Sequence, residues 1–510
     1  MKKSIFVRLF SVLLTLALIA VPVFQVMPTA EPVRDVPEIN IHGFMNKTIY
    51  MNRGTDEETV IWSYSTEEIL DLVKSALPAL AKLSVTWNWD RFADEVLPLV
   101  EKFFDGAVAQ PDGTPDPRTS IDFEYPPAES IKPSSYLDFD YDWRSDPVEI
   151  AAQLNDFIDY VTEASGCDQV TLTAHSLGGV IMTSYLSIYG NEKVRAACFN
   201  TTAVYGETYT GELLSGQMTL NADAIEAYLQ FALERNQYEK LINGLVAMLN
   251  DVGLLDFVCT FGNLILEKLS PKALPEFVVP LFAGMPTIWA MVPDEYLDAS
   301  MDYVFNTVYK DSPVDRSGLV ARIENYNELV RKNKTQTLKD LNEVANVYVL
   351  SRYGYSSIPI TPSYKNTSDS VIDTKYSSFG ATVADYGTTL SDDYLASADP
   401  KYISPDKIVD ASTCLFPDQT WFIKGLYHAP NGPLDEIITT LLYSDDQATV
   451  ETYAQYPQFL KYDFNTDQLS PYTAEDANVE LSGLQKILQF LRSLFRKIKD
   501  MVRSILPFGK

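Results

Sequence analysis

The sequence predicts an α/β protein: a mostly parallel sheet with helices on both faces, interrupted by one large helical insertion. Up to about residue 206, short apolar segments with strand character alternate with amphipathic helices. From Gly206 to about Glu343 the apolar spacing is helical only, and strand character returns at "VANVYVLSRYG". Strands that alternate with helices pair in parallel and are covered on both faces, so a long helical insertion between two of them is expected to form a cap.

Composition sets the broad class of protein. The chain has 510 residues, 46% of them hydrophobic, which is enough for a globular core and for more than one domain. Its formal charge of -29 would repel nucleic-acid phosphates, so no nucleic-acid partner is expected. The four cysteines are too scattered for a disulfide scaffold, which leaves both one or two disulfides and four free thiols open. No Cys and His cluster has metal-ligand spacing, so neither a metal nor a cofactor is expected.

An export signal is predicted at residues 1–30. The segment opens with the basic "MKK", an apolar run follows from Leu9 to Val26, and "MPTA" ends on the small residue Ala30. Pro28 fits a cleavage site poorly, so an uncleaved anchor stays open as the alternative. We therefore expect a secreted or extracellular protein, membrane-associated if the segment is an anchor.

The elements before the insertion follow in chain order. "VPEINIHGFM" predicts a strand that runs into a His-Gly turn, and helical spacing follows over Thr66–Lys82 and Trp89–Phe104. Gln110–Pro133 is Pro-rich and acidic, which predicts a loop, and "SYLDFDYDWR" alternates as a strand does. Pro147–Ala164 is an amphipathic helix, and "VRAACFN" is the last strand before the insertion.

The C-terminal segment has a different character from the rest of the chain. "LSGLQKILQFLRSLFRKIKDMVRSILPFGK" places apolar residues on one helical stripe and carries seven Lys/Arg against one Asp. This pattern predicts contact with an anionic membrane surface, and packing of the stripe on the core is the alternative. The predicted parts are an export signal (1–30), the first part of the α/β core (31–206), a helical cap or lid (207–343), the second part of the core (344–470) and this helix (480–510).

Ser176 is the candidate nucleophile. "VTLTAHSLGGV" (Val170–Val180) places it in a tight turn between a strand over Val170–Thr173 and a helix that reaches about Tyr189. Such a turn lifts a serine Oγ clear of the backbone, and small neighbours let strand and helix approach each other. Ala174 stands where a G-x-S-x-G motif has its first glycine. The alternative is a serine that only caps the helix.

An oxyanion hole needs two backbone amides beside the nucleophile. Leu177 follows Ser176, and its N–H is the first candidate. The His-Gly turn after the first strand supplies the second, because Gly43 lets the backbone turn an amide inward. Phe44 N–H is therefore the second candidate, with Met45 next.

The general base follows by elimination, because the chain has only three histidines. His175 adjoins the nucleophile, so its side chain is expected to point elsewhere, and His42 belongs to the oxyanion turn. His428, in "KGLYHAPNGPLDEIITTLL", remains as the base. The alternative is a solvated loop histidine.

The acid that orients the base is expected in a loop after a strand, between the serine and the histidine in chain order. "NTSDSVIDTKYSSFGA" follows the "VYVLSRYG" strand, and Asp369 there precedes a small residue and then apolar ones. Asp369 is the first candidate, Asp373 the second and Asp385 a distant third. Any of them can also be only a turn residue.

With these residues in place, the chain resembles the α/β-hydrolase superfamily, its lipase branch, and within that branch the lecithin:cholesterol acyltransferase-type lipases. The segments that carry the resemblance are "HGF", "FDYDWR", "LTAHSLGGV", the helical stretch after "NTTAVYG", "SDSVID" and His428. The resemblance spans roughly Val36 to Leu442. The chain departs from the pattern at Ala174, at Ser370, where many relatives have Gly, and between Met45 and Ser135.

The expected function is that of a secreted serine esterase or lipase. It would cleave hydrophobic carboxylic esters through an acyl-enzyme on Ser176, with no metal or cofactor. The apolar cap favours a hydrophobic ester or lipid substrate, and Trp289 and Met291 could belong to a roof over the site or to the cap's own core. A lipid O-acyltransferase with the same triad is the alternative, and a non-catalytic surface binding protein on a hydrolase fold is the remote one.

Overall fold

The computed structural model describes residues 34–62, 66–233, 279–429, 431–464 and 466–477, with the short pieces 259–260, 263–264 and 267–268. The predicted export signal and the predicted C-terminal helix lie outside the described residues, as does most of the apolar segment "LINGLVAMLNDVGLLDFVCTFGNLILEKL".

Eight strands form one large sheet, in the order β15-β14-β13-β8-β7-β6-β1-β5. Every neighbouring pair is parallel except β14 and β15, which are antiparallel. The strands of this sheet are β1 (Glu38–Ile41), β5 (Tyr136–Phe139), β6 (Val170–Ser176), β7 (Val194–Thr202), β8 (Asn346–Tyr353), β13 (Thr420–Lys424), β14 (Phe459–Asp463) and β15 (Gln468–Pro471). The short remaining strands are β2 (Ile49–Met51), β3 (Thr59–Trp62), β4 (Thr119–Ile121), β9 (Tyr355–Ser356), β10 (Thr367–Ser368), β11 (Thr382–Val383) and β12 (Val409–Asp410).

The helices before the second half of the sheet are α1 (Thr66–Thr86), α2 (Trp89–Phe103), α3 (Pro147–Ser165), α4 (Leu177–Tyr189), α5 (Thr208–Leu214), α6 (Ala222–Leu233), α7 (Val279–Ala283), α8 (Pro286–Ala290), α9 (Asp294–Met301), α10 (Ser317–Tyr326) and α11 (Lys334–Val344). Those in the second half are α12 (Thr374–Ser377), α13 (Asp392–Leu395) and α14 (Asp435–Leu442). Asp302–Val308 and Asn327–Arg331 are π-helical extensions of α9 and α10.

The central strands are apolar on both faces, as a sheet covered on both sides requires. Successive side chains of a strand point to opposite faces. In β7, Ala197 and Phe199 join the core on the side of α3 and α4, whereas Ala196 and Cys198 join the core on the side of α14. The prediction of a mostly parallel sheet with helices on both faces is therefore confirmed.

An insertion between β1 and β5 carries its own small sheet. Strands β3, β2 and β4 form it in that order, all antiparallel, and α1 and α2 pack against each other beside it. The prediction that Gln110–Pro133 is loop throughout is wrong, because Thr119–Ile121 pairs with β2. The pairing partner is some seventy residues away in the chain, which local composition does not reveal.

Between β7 and β8, every regular element among the described residues is helical. Trp289 and Met291, which the sequence left between a roof and a core role, are 1% and 2% exposed and belong to the large core cluster. The Trp289 indole N–H donates to the Ala283 carbonyl at 2.7 Å, and its ring stacks on Phe305. Both side chains therefore lie in the core that the insertion shares with the sheet and the helices on one of its faces.

Within the described ranges, no helix combines the length and the apolar character of a membrane span. No group of three or more His, Cys, Asp or Glu side chains in these ranges could hold a metal ion. Cys167, Cys198 and Cys414 are thiols and form no disulfide.

Candidate active site

Ser176 ends the central strand β6 and begins helix α4 with a strained backbone. Its φ is 56° and its ψ is -124°, a conformation that a non-glycine residue adopts only where the surroundings impose it. The side chain makes no capping hydrogen bond to α4. The helix-cap alternative therefore does not account for this serine, because its Oγ makes no hydrogen bond to the helix.

Two glycines in the first turn of α4 make the close packing around Ser176 possible. A Cβ on Gly178 would lie 2.1 Å from the Ile41 carbonyl oxygen, and a Cβ on Gly179 would lie 2.3 Å from the Thr202 Cβ. No real contact is that short, so strands β1 and β7 can reach α4 only because these two positions lack a side chain. The close approach brings the end of β1 directly to Ser176.

The His-Gly turn after β1 borders the serine. A Cβ on Gly43 would lie 2.8 Å from the Ser176 Cβ and 3.3 Å from its Oγ. The Tyr141 hydroxyl donates to the His42 carbonyl at 2.5 Å, and the ring of Phe44 packs edge-on against Trp143 at 4.5 Å. The Gly43–Phe44 segment is thus held beside the Ser176 hydroxyl, and the Leu177 N–H lies at the open N-terminus of α4.

Asp369 and His428 meet at the same edge of the sheet. His428 Nδ1 lies 2.7 Å from Asp369 Oδ2, and the His428 backbone N–H donates to the Asp369 carbonyl at 2.9 Å. The other carboxylate oxygen accepts the backbone N–H groups of Val371 and Ile372 at 3.0 and 2.7 Å. Asp369 is fully buried, and its whole carboxylate is held by donors.

The charge of Asp369 is stabilised despite its burial. Burial alone would raise the pKa of this carboxyl, but the charge and hydrogen bond of His428, the Thr201 hydroxyl and the charge of Arg352 outweigh it. The pKa of Asp369 is therefore lower than its ordinary value. An ionised carboxylate bound to Nδ1 keeps the proton on that nitrogen and leaves Nε2 as the free acceptor of the imidazole.

Thr201 is a residue of this site that sequence reasoning missed. Its hydroxyl donates to Asp369 Oδ2 at 2.6 Å, and its φ is 44°, which is rare for a β-branched residue. The irregularity interrupts the pairing of β6 with β7 beside Ser176, which faces Thr202. Backbone strain of this kind concentrates at functional sites. No local sequence signal distinguishes Thr201 from Thr202, the other threonine at the end of β7.

Ser370 has a φ of 81° in the loop of the acid, the left-handed region that favours glycine. Its backbone N–H donates to the Ser368 hydroxyl at 2.9 Å, which holds the turn. The left-handed conformation would be easier for glycine than for serine. The hydrogen bond to Ser368 supports the strained backbone and explains physically how Ser370 is tolerated there.

The other candidate acids lie elsewhere. Asp373 is buried, but its carboxylate accepts the N–H and the hydroxyl of Thr208, and burial raises its pKa. Asp385 is exposed, and its carbonyl accepts the Thr388 N–H. Neither makes a hydrogen bond to His428 in the described structure.

The other two histidines differ in their relation to the site. His42 Nε2 lies 3.0 Å from Asp138 Oδ1. His175, expected to point away, instead lies against His428: its Nε2 is 3.1 Å from the His428 carbonyl oxygen, and the two ring centroids are 4.6 Å apart. That expectation is wrong, because the loop of His428 folds back over the end of β6.

In the described structure no hydrogen bond joins Ser176 Oγ to His428 Nε2, but the neighbours of Ser176 contact the Asp369–His428 pair. His175, the residue before Ser176, contacts His428, and Thr201, the residue before the strand partner of Ser176, contacts Asp369. Hydrogen bonds between a nucleophile and its base are often long in ligand-free enzymes and tighten when substrate binds.

A second buried carboxyl group lies close enough to interact electrostatically with this pair. Glu207 is 2% exposed, and the Thr210 hydroxyl donates to it at 3.1 Å. Burial raises its pKa to about 7, against the opposing effects of a hydrogen bond from Tyr209 and the charge of His428. Sequence reasoning did not single out Glu207, which looks like an ordinary helix-start acid.

We expect Glu207→Gln to stabilise the protein at alkaline pH. The folded pKa of Glu207 exceeds its ordinary value of 4.5, so the native state holds the proton longer than the unfolded chain. Its contribution is present below pH 4.5 and is lost as the pH rises to about 7. The neutral amide removes this loss, which is worth about 3 kcal/mol above pH 7.

Urea unfolding of both proteins at pH 5 and pH 8.5 measures this difference. The variant should exceed the wild type only slightly at pH 5, where little of the loss has occurred, and by much more at pH 8.5. Glu328→Gln, at an exposed acid, is the control and should change neither value. An unchanged stability difference at the two pH values would contradict the expectation.

Comparison with known proteins bears on the fold. Residues 113–244, about a quarter of the chain, match the family model described as α/β hydrolase fold. The matched range includes Ser176 and ends before Asp369 and His428. Together with the eight-stranded, mostly parallel sheet and its helices on both faces, this decides the fold class.

The chain has an α/β-hydrolase fold. Comparison with curated protein sequences gives no match. Seven chains of solved structures match this protein. One of them is a chain of the crystal structure of the Tle4-Tli4 complex, and it is 12% identical to this protein. The alignment covers 62% of this protein and 75% of that chain, with a TM-score of 0.23.

Proposed function

We propose that the protein is a secreted serine esterase or lipase that hydrolyses hydrophobic carboxylic esters through an acyl-enzyme on Ser176. One observation carries the proposal. A strained strand-to-helix serine lies at the same sheet edge as a buried Asp369–His428 pair with a 2.7 Å hydrogen bond. The α/β-hydrolase fold favours a hydrolase, and the resemblance to lecithin:cholesterol acyltransferase-type lipases favours a lipid ester.

In this proposal each residue has one role. His428 Nε2 takes the hydroxyl proton as Ser176 Oγ attacks the ester carbonyl, and the oxyanion that forms accepts the N–H groups of Leu177 and Phe44. The C–O bond of the ester then breaks, and the imidazolium returns the proton to the leaving alcohol. Water attacks the acyl-enzyme in the same manner and releases the acid. Asp369 orients the imidazole and stabilises its charged form throughout.

A fluorophosphonate probe tests whether Ser176 is activated. Only a serine with a working base forms the phosphonyl adduct, so mass spectrometry of the labelled protein should place the adduct on Ser176. Rates on p-nitrophenyl esters of increasing chain length then measure the preference for hydrophobic acyl groups. A protein that neither labels nor hydrolyses any ester would overturn the proposal and favour a binding protein.

Asp369→Asn is expected to lower kcat by roughly four orders of magnitude. The amide can present N–H instead of an acceptor to Nδ1, which favours the wrong imidazole tautomer. Asp373→Asn is the matched control, because it changes an equally buried carboxyl four residues away whose partner is Thr208. Its kcat should stay within a few-fold of the wild type. Equal losses in the two variants would contradict the role of Asp369.

A further inference from the structure

Arg352 is a fully buried arginine at the end of β8, close to the proposed base. Its Nη1 donates to the carbonyl oxygens of Tyr427 and His428 at 2.7 and 2.8 Å. The second terminal nitrogen, Nη2, donates to the side-chain oxygens of Asn200 and Asn431 at 3.0 and 2.6 Å. A single planar guanidinium thus ties the loop of His428 to strands β7 and β8.

The His428 carbonyl has a second donor. His175 Nε2 lies 3.1 Å from that oxygen, and a carbonyl can only accept, so Nε2 must carry the proton. Burial holds the pKa of His175 well below its ordinary value, with smaller contributions in the same direction from the charges of His428 and Arg352. A neutral His175 with its proton on Nε2 therefore clamps the backbone of the base from the strand that carries Ser176.

These contacts fix the imidazole of His428 from its backbone side. Asp369 holds Nδ1, while Arg352 and His175 converge on the carbonyl of the same residue. Because His175 directly precedes Ser176, its contact also sets the distance between the loop of the base and the elbow. A displacement of about 1 Å at a reacting group can cost roughly a hundredfold in rate.

We propose that Arg352 and His175 are positioning residues that hold His428 in register with Ser176. The inference rests on the proposed function, in which His428 is the base. Neither residue touches the reacting atoms in this assignment. Both donate to the carbonyl of His428, and the His175 ring also packs against the His428 imidazole. Their removal should therefore lower the turnover number more than substrate affinity.

Arg352→Lys tests the guanidinium. A lysine keeps the charge but cannot span four acceptors from a planar fork. We expect kcat to fall between tenfold and a hundredfold with KM within about twofold, and the rate of fluorophosphonate labelling at Ser176 to fall in parallel. The low-field NMR signal of the His428 Nδ1 proton should shift or broaden.

Arg331→Lys is the matched control for Arg352→Lys. Arg331 is also a buried arginine, 7% exposed, that donates to backbone carbonyls, in this case those of Trp289 and Val292 in the helical insertion. Its replacement should lower the unfolding temperature but leave kcat, labelling rate and the Nδ1 signal close to the wild type. A loss of kcat in Arg331→Lys as large as in Arg352→Lys would overturn the proposal.

Two variants of His175, His175→Gln and His175→Leu, test the positioning role even if Arg352→Lys does not fold. Glutamine can place an N–H near the position of His175 Nε2, whereas leucine has no donor. We expect Gln to restore most of the kcat that Leu loses, at similar unfolding temperatures. Equal kcat in the two variants would overturn the role of His175.

The two proposals fail in different ways. If the wild type labels at Ser176 and the Arg352→Lys and His175→Leu variants label at the same rate, the positioning role is wrong and the serine hydrolase assignment stands. If the wild type itself does not label, the proposed function is wrong regardless of these variants.

Discussion

Ser176→Ala is expected to lower kcat for ester hydrolysis by roughly five to six orders of magnitude. Alanine removes the Oγ that forms the acyl-enzyme and retains the Cβ that packs against Gly43. The side chain makes no capping hydrogen bond, and alanine meets the same backbone strain as serine at a φ of 56°. The fold and the unfolding temperature should therefore stay close to those of the wild type.

Initial rates on the best p-nitrophenyl ester and thermal unfolding measure the two halves of this prediction. Ser184→Ala is the control, because Ser184 is a buried serine of the same helix whose hydroxyl donates to the Val180 carbonyl at 2.8 Å. It should retain activity and lose little stability. Turnover by Ser176→Ala near the wild-type rate would remove Ser176 from the mechanism.

His428→Ala is expected to be about as damaging as Ser176→Ala, and the double variant no worse than either single one. The serine and its base act as one unit, so losing either removes the same step. Asp369 makes a hydrogen bond to His428 and to neither of the other two histidines in the described structure, so no second imidazole can take over.

Added imidazole provides a sharp control for the base. It should partly restore turnover in His428→Ala, where a cavity beside Ser176 can admit it, and should not restore turnover in Ser176→Ala. Retention of more than a few per cent of activity by His428→Ala without imidazole would show that His42 or His175 is the base, and that the proposed geometry is wrong.

The order of the strands and helices around the site could be predicted because their signals are local. An alternating or continuous apolar pattern marks a strand, and a 3.6-residue period marks a helix. Helix α3 was predicted over Pro147–Ala164 and runs over Pro147–Ser165, bounded by the Asp146 cap and the left-handed Gly166. These boundaries are set by side chains within one or two residues of each end.

An element that depends on pairing with a distant segment has no local signal, and the sequence does not predict it. The strand Thr119–Ile121 has no continuous apolar run, and it exists because β2 offers backbone partners. The burial of Trp289 and Met291 likewise depends on the helices packed around them, which a sequence of uniformly apolar segments does not specify.

The sequence by itself determined the fold class and indicated the elbow that carries Ser176 and His428 as the candidate base, because each prediction rests on spacing, turn chemistry or a count. It ranked Asp369 ahead of Asp373 as the candidate acid, and only the tertiary structure brought Asp369 rather than Asp373 to His428. Only the tertiary structure also placed Thr201, His175 and Arg352 around that pair. Asp369 and Asp373 lie in one loop with similar neighbours. What separates them is the left-handed turn at Ser370 and the meeting of loops that follow β8 and β13, adjacent in the sheet but some seventy residues apart in the chain. Such contacts depend on strand register and loop path, which no local pattern of residues encodes.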